Sequence, residues 1–135
     1  MSEEYAFSVR TRVAFSDTDA QGVVYYGRYN PYFDLARAEW LRSLGLLHRG
    51  SDGAEFVMRA NDVEYFAPAR FDDELEIHVR VARIGRTSMT YEFAAHRLPE
   101  GTLMVTAHQT LVFVDPAARR PIPIPGDYKA KFGAG

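Results

Sequence analysis

One stretch of this 135-residue chain has a sustained helical period, and it limits what the rest can build. From Tyr29 to Leu47 the residues Tyr29, Tyr32, Phe33, Ala36, Trp40, Leu44 and Leu47 recur at spacings of three and four. Asp34, Arg37 and Arg42 lie off that stripe, and Gly45 near its end is a terminator. The other patterned segments alternate. In Phe7 to Phe15, the residues Phe7, Val9, Thr11, Val13 and Phe15 share one face, which predicts a strand. After the loop HRGSDGAE, four more β-rich stretches follow: Phe56 to Tyr65, Glu74 to Arg83, Thr87 to Arg97 and Leu103 to Val114. Pro68 with Asp72-Asp73, then Gly85, then Pro99-Glu100-Gly101 punctuate them. Gln109 interrupts the apolar face of the last. The tail carries Pro116, Pro121, Pro123 and Pro125, so it reads as an irregular end with one helical turn.

The pattern predicts an α+β domain over 1–135, with its core within about 7–114: a strand, a long helix, then four strands able to form an antiparallel meander. One helix covers one face of a five-stranded sheet. Met58, Ile77, Val79, Val81 and Met104 are read as outward strand positions, more apolar surface than one helix hides. The sheet is therefore expected to pack against a second copy as a homo-oligomer.

Composition narrows the function classes. Sixteen Lys plus Arg against eighteen Asp plus Glu give a net charge of −2, without a block of like charges. Neither nucleic acid nor an anionic membrane is expected as the main partner. No apolar run is long enough to insert in a bilayer, and the acidic start MSEEYAFSVRTR does not read as a secretory signal. With no cysteine there is no disulfide, thiolate nucleophile or Cys-ligated zinc, and a cytoplasmic location is expected.

Between the first strand and the helix lies FSDTDAQGVVYYGRY, with Asp17 and Asp19 two residues apart. Calcium is the first candidate, because Asp17, Asp19, Gln21 and Gly22 fall at positions one, three, five and six of an EF-hand-like loop. Arg28 stands at the twelfth position, where a bidentate Glu is required, and a strand precedes the loop where a helix should. No metal site is expected. For Asp17 a turn role is favoured, with its side chain bonding nearby backbone. Asp19 sits just before Gly22 and the helix start, where unpaired N–H groups and a positive dipole end are available. A carboxylate facing a helix N-terminus has both halves of an acyl-transfer site, a base or nucleophile and donors for an oxyanion. Asn30-Pro31 would begin that helix as cap and first residue, whereas Tyr26-Gly27 would begin it one turn earlier.

The run DTDAQGVVYYGRYNPYFDLARAEWLRSLGL resembles the signature of the 4-hydroxybenzoyl-CoA thioesterase family of hot-dog fold proteins. Asp17, Asp19, Gly22, Val24, Tyr26 and Tyr29 match it, and VEYFAPARFDDELEI is similar to the family's second recurring segment. The resemblance implies a hot-dog fold, a five-stranded antiparallel sheet wrapped around the long helix. It also implies edge-to-edge dimers, often paired into tetramers, with the active site at the dimer interface. It implies a catalytic Asp19 and a backbone N–H at Tyr26 that polarises a thioester carbonyl. Many members carry histidine where Tyr26 stands, so the substrate class is less constrained than the chemistry. The expected activity is acyl-CoA hydrolysis without a cofactor, coenzyme A being part of the substrate. The same resemblance places Arg83, Arg86 and Thr87 near the coenzyme A phosphates, alongside the plain reading of solvated hairpin residues. Tyr25, Tyr29 and Tyr32 either line an acyl pocket or belong to core and interface. Glu39 reads as a surface partner of Arg42 or Ser43, and His48, His78, His96 and His108 as structural or exposed. A noncatalytic acyl-thioester binding module of the same fold is the alternative, and a hot-dog dehydratase would need a histidine that the helix start lacks.

Overall fold

A computed structural model of the chain describes residues 5–46 and 55–133; Leu47, His48 and the loop that follows lie outside them. Five strands, β1 (Phe7–Arg12), β2 (Glu55–Tyr65), β3 (Glu74–Ile84), β4 (Ser88–Leu98) and β5 (Thr102–Val114), form one antiparallel sheet against the helix α1 (Tyr29–Ser43). The fold class expected from the sequence is the one observed. The strand order is β1-β3-β4-β5-β2, so only β3, β4 and β5 form a meander. β2 pairs with the far edge of β5 instead of with β3. Eight residues, 66–73, join β2 to β3. They have to cross three strand spacings, about 14 Å, which eight extended residues span with length to spare.

α1 buries Tyr29, Tyr32, Phe33, Ala36 and Trp40 on the sheet, as read from the sequence, and adds Leu41, while Leu44 is half-buried. The sheet answers with Leu75, Ile77, Val79, Met89, Tyr91, Phe93, Ala95, Val105, Ala107, Leu111 and Phe113. Each large side chain buried here contributes roughly 1.5–3 kcal/mol. At its C-terminus the Leu46 amide donates to Leu41 O at 2.8 Å and Gly45 donates to Arg42 O at 3.1 Å. Gly45, with φ of 75°, supplies the left-handed residue this ending requires.

Three expectations are corrected. Ile77, Val79 and Met104 are fully buried, because β3 turns Leu75, Ile77 and Val79 toward the helix and a bulge between Ala95 and His96 leaves Met104 beside the buried Val105. Val81 is half-buried, and of the five residues read as outward only Met58 is exposed. Phe15 is 75% exposed, because β1 stops at Arg12 and a helical turn, Phe15–Asp17, breaks the alternation. The core also runs past Val114: Ile122 donates to Phe113 O, Ile124 donates to Arg86 O, and Ile124 and Tyr128 are buried. The prolines stop a strand there without stopping packing, and the helical turns Gly126–Tyr128 and Lys129–Gly133 close the tail.

Much of the exposed apolar surface lies along β2, the rest being Phe15, Tyr25, Tyr26 and Phe71. Phe56, Val57, Met58 and Tyr65, with Phe66 just beyond, are exposed along an edge strand eleven residues long. None of the described helices is long and apolar enough to cross a membrane.

Candidate active site

Residues 17–25 form a small hairpin between β1 and the helix. Thr18 bridges Val24, Asp19 N donates to Val23 O at 2.9 Å, Gly22 N donates to Asp19 O at 2.9 Å, and Tyr25 N donates to Asp17 O at 3.0 Å. Gly22 takes φ of 82° at the tip, a conformation that a Cβ would strain. Val24 is buried, and its amide donates to Ala69 O at 2.8 Å, docking the hairpin on the β2–β3 connection.

Asp17 bonds nearby backbone as expected, at the Ala14 amide, but Asp19 forms a side-chain turn as well. The Asp19 carboxylate forms the side-chain turn: its Oδ1 accepts from the Gln21 amide at 2.8 Å and lies 3.5 Å from that of Val23. Asp19 is exposed, and its Oδ2 has no hydrogen-bond partner among the described residues. Asp17 is buried. Its Oδ2 accepts from the Tyr32 hydroxyl at 2.5 Å and the Ala14 amide at 3.2 Å, while Oδ1 accepts from Arg28 Nε and Nη2 at 3.2 and 3.0 Å. Burial pushes the Asp17 carboxyl up, but these donors and the Arg28 charge outweigh it and hold it below the usual carboxylate range. Burial and the bond to Asp17 push the Tyr32 hydroxyl well above its ordinary value.

The helical run begins earlier than Asn30-Pro31. A turn over Tyr26–Arg28 leads directly into α1, Tyr25 is extended with ψ of 143°, and Arg28 N donates to Tyr25 O at 2.9 Å. Asn30 is therefore inside the helix, where its Oδ1 accepts from Asn61 of β2 at 3.0 Å. Pro31 falls in the first turn of α1, which tolerates its missing N–H. Tyr26 and Gly27 open the run, so their amides are the orphan donors every helix start leaves.

A cavity of about 720 Å³ joins these parts. It is lined by Asp19, Val24, Tyr25, Tyr26 and Tyr29 of the signature and by Tyr65, Phe66 and Pro68 of the second segment. Tyr65 stacks near Tyr26 at 4.9 Å and Tyr29 at 5.8 Å between ring centres, and its hydroxyl donates to Tyr26 O at 3.3 Å. Burial raises both Tyr29 and Tyr65 above their ordinary values, so they are neutral donors at physiological pH. Tyr32, by contrast, belongs to the core and to Asp17. The second segment carried no assigned residue in the sequence reading. The turn FAPAR directly after the strand ending at Tyr65 was the signal available.

Arg83 and Arg86 do not reach this cavity within one chain. They line a second one of about 650 Å³ with Gly85, Lys129 and Phe132. It lies at the opposite end of the sheet: Ile84 aligns through Met89 and Leu111 with Met58, whereas Tyr65 aligns with Val105. Seven residues of β2 separate those rows, about 20 Å. Thr87 is half-buried, and its carbonyl accepts from the Phe113 amide at 2.9 Å. Among the described residues no group of three or more His, Cys, Asp or Glu is placed to hold a metal ion.

A helix laid across one face of a 1-3-4-5-2 antiparallel sheet, with a carboxylate hairpin at the helix start, is the hot-dog architecture of thioester hydrolases. The chain belongs to the thioesterase-like superfamily, whose family model matches residues 13–132. Over 125 residues it is 37% identical to the acyl-CoA thioester hydrolase YbgC of Escherichia coli, covering 90% of this chain and 91% of the relative. It is 33% identical over 130 residues to the acyl-CoA thioesterase YbgC of Haemophilus influenzae, covering 93% of each. A Thermus thermophilus thioesterase solved with coenzyme A and zinc superposes with a TM-score of 0.84 at 27% identity, over 98% of this chain and 95% of that one.

Proposed function

We propose that the protein hydrolyses acyl-CoA thioesters to a carboxylate and free coenzyme A, in the manner of the 4-hydroxybenzoyl-CoA thioesterase type. The observation that carries this reading is the shared cavity: Asp19, whose Oδ2 has no hydrogen-bond partner among the described residues, lines the same 720 Å³ space as the helix start at Tyr26. The thioester carbonyl oxygen sits against the Tyr26 amide, where a backbone donor contributes roughly 3 kcal/mol to the developing oxyanion. Asp19 either attacks the carbonyl carbon, forming a mixed anhydride that water opens, or takes a proton from an attacking water. Both routes expel a thiolate. Its conjugate thiol has a pKa of roughly 8.5, so neither route needs an acid to assist departure. No metal or separate cofactor enters the mechanism.

The active unit in this reading is a dimer paired through β2. Two β2 strands meeting antiparallel are related by a two-fold normal to the sheet, so both helices stay on one side. The Tyr65 end of one strand then lies beside the Met58 end of the other. The cationic hairpin of Arg83 and Arg86 from one copy is thereby brought to the Asp19 end of the next, where Arg83, Arg86 and Thr87 receive the coenzyme A phosphates. The exposed edge of β2 supports this pairing.

A panel of acetyl-, hexanoyl-, palmitoyl- and benzoyl-CoA, read by a thiol reagent, tests the activity. Hydrolysis of at least one by the wild type, with loss in Asp19→Asn, is expected. Binding without turnover would identify a noncatalytic acyl-thioester module, and sedimentation at 15.3 kDa at micromolar concentration would remove the dimer.

A further inference from the structure

The hairpin carrying Asp19 is attached to the rest of the molecule in two regions. One is the β2–β3 connection, where Val23 bridges Arg70, Val24 N donates to Ala69 O and the Val24 side chain is buried. The other is Asp17, whose carboxylate binds Arg28 and Tyr32 and whose carbonyl accepts from Tyr25 N. Arg28 and Tyr32 are four residues apart and so share one helix face, the first turns after the orphan amides of Tyr26 and Gly27. Asp17 therefore joins the carboxylate side of the site to the oxyanion side through three donors of fixed direction. A buried carboxylate is a weak device for stability, since desolvation offsets much of its attraction, but it is strongly directional.

We propose that Asp17, Arg28 and Tyr32 form a positioning clamp that sets the separation between the Asp19 carboxylate and the helix-start amides, so that its contribution appears in turnover and not in substrate affinity. The clamp rests on the thioesterase reading above. None of its three residues lines the Asp19 cavity. Without the Tyr32 hydroxyl the hairpin can rock about its attachment to Ala69 and Arg70, and a misplacement of about 1 Å between reacting groups costs on the order of a hundredfold in rate.

The test compares Tyr32→Phe and Arg28→Gln with Tyr128→Phe, which also removes one buried hydroxyl bond, to Leu46 O, but outside the site. The substrate is whichever of benzoyl-CoA and hexanoyl-CoA the wild type hydrolyses faster. In both clamp variants kcat is expected to fall about ten- to a hundredfold with KM within about threefold, while Tyr128→Phe keeps wild-type kcat at a similar loss of Tm. In an Asp19→Asn background, Tyr32→Phe should cause no further loss of residual turnover. The clamp is overturned if KM rises while kcat holds, if Tyr128→Phe loses as much turnover, or if Tyr32→Phe and Asp19→Asn multiply independently. Wild-type turnover with unchanged kcat in Tyr32→Phe rejects the clamp alone, whereas a wild type inert toward every thioester rejects the activity and the clamp with it.

Discussion

Around Asp17, both carboxylate oxygens meet donors: two guanidinium nitrogens, a phenol and a backbone amide. Around Asp19, two residues away, one oxygen is tied to the turn, the other has no hydrogen-bond partner among the described residues, and the residue lines a cavity. The same side chain thus serves as a buried anchor in one place and an exposed working group in the other. What separates them is the supply of donors, since a saturated carboxylate has no lone pair left to offer a substrate, however well it is held.

The largest effect should come from removing the free oxygen. Asp19→Asn is expected to lower kcat/KM at least a thousandfold while shifting Tm by no more than a few degrees, because the amide oxygen can still accept the Gln21 bond. Steady-state hydrolysis and thermal unfolding of one preparation check both halves. A large loss of Tm would make Asp19 structural and erase its difference from Asp17.

Asp17→Ala should differ by losing stability together with the turnover that the clamp supports. It strands the Tyr32 hydroxyl and the Ala14 amide and leaves Arg28 without its anion, at a cost of about 3 kcal/mol. A urea midpoint indistinguishable from wild type would show that the buried network contributes nothing. The cationic hairpin is expected to matter less. Arg83→Ala with Arg86→Ala should raise KM for acyl-CoA about five- to twentyfold with kcat nearly kept, since surface phosphate contacts bind ground and transition states alike. An unchanged KM would leave those arginines as solvated hairpin charge.

Much of this molecule is legible in its sequence because periods report burial. The stripe from Tyr29 to Trp40 lies on the sheet as read, and Gly45 ends the helix as read. What periods do not report is which strands become neighbours: β2 looks like the first member of a meander until β5 claims it. The same limit explains Met104, whose side is set by a bulge that no alternation announces. At the site, D-x-D gives the residue types without their donors. Arg28 and Tyr32 find Asp17 from 11 and 15 residues away, so the partner that distinguishes the two aspartates is out of reach of local spacing. Arg28 has a clear role in the sequence only as the residue that disqualifies a calcium loop.

The outer face of the sheet extends the comparison to polar groups remote from both cavities, and there the smallest effect is expected. His78 on β3 lies against His96 on β4 with ring centres 5.1 Å apart, flanked by the Tyr5 ring and by Glu76 at 3.7 Å, and His96 Nδ1 is buried without a hydrogen-bond partner among the described residues. Burial lowers both histidines below their ordinary value, His96 also through His78, and the nearby Glu76 only partly offsets it. A group whose pKa is depressed on folding stabilises the fold above its unfolded value, about 6.5, and that stability is lost as pH falls through the folded value. The urea midpoint should therefore decline from pH 7.5 to 5.5, and the decline should flatten in a His78→Gln, His96→Gln double variant. Turnover by that variant at pH 7.5 should match wild type, because these side chains pack on the face of the sheet away from α1. Equal pH slopes in the two proteins would mean that the histidines are hydrated enough to protonate without cost, placing them with Asp19 among exposed groups and not with Asp17.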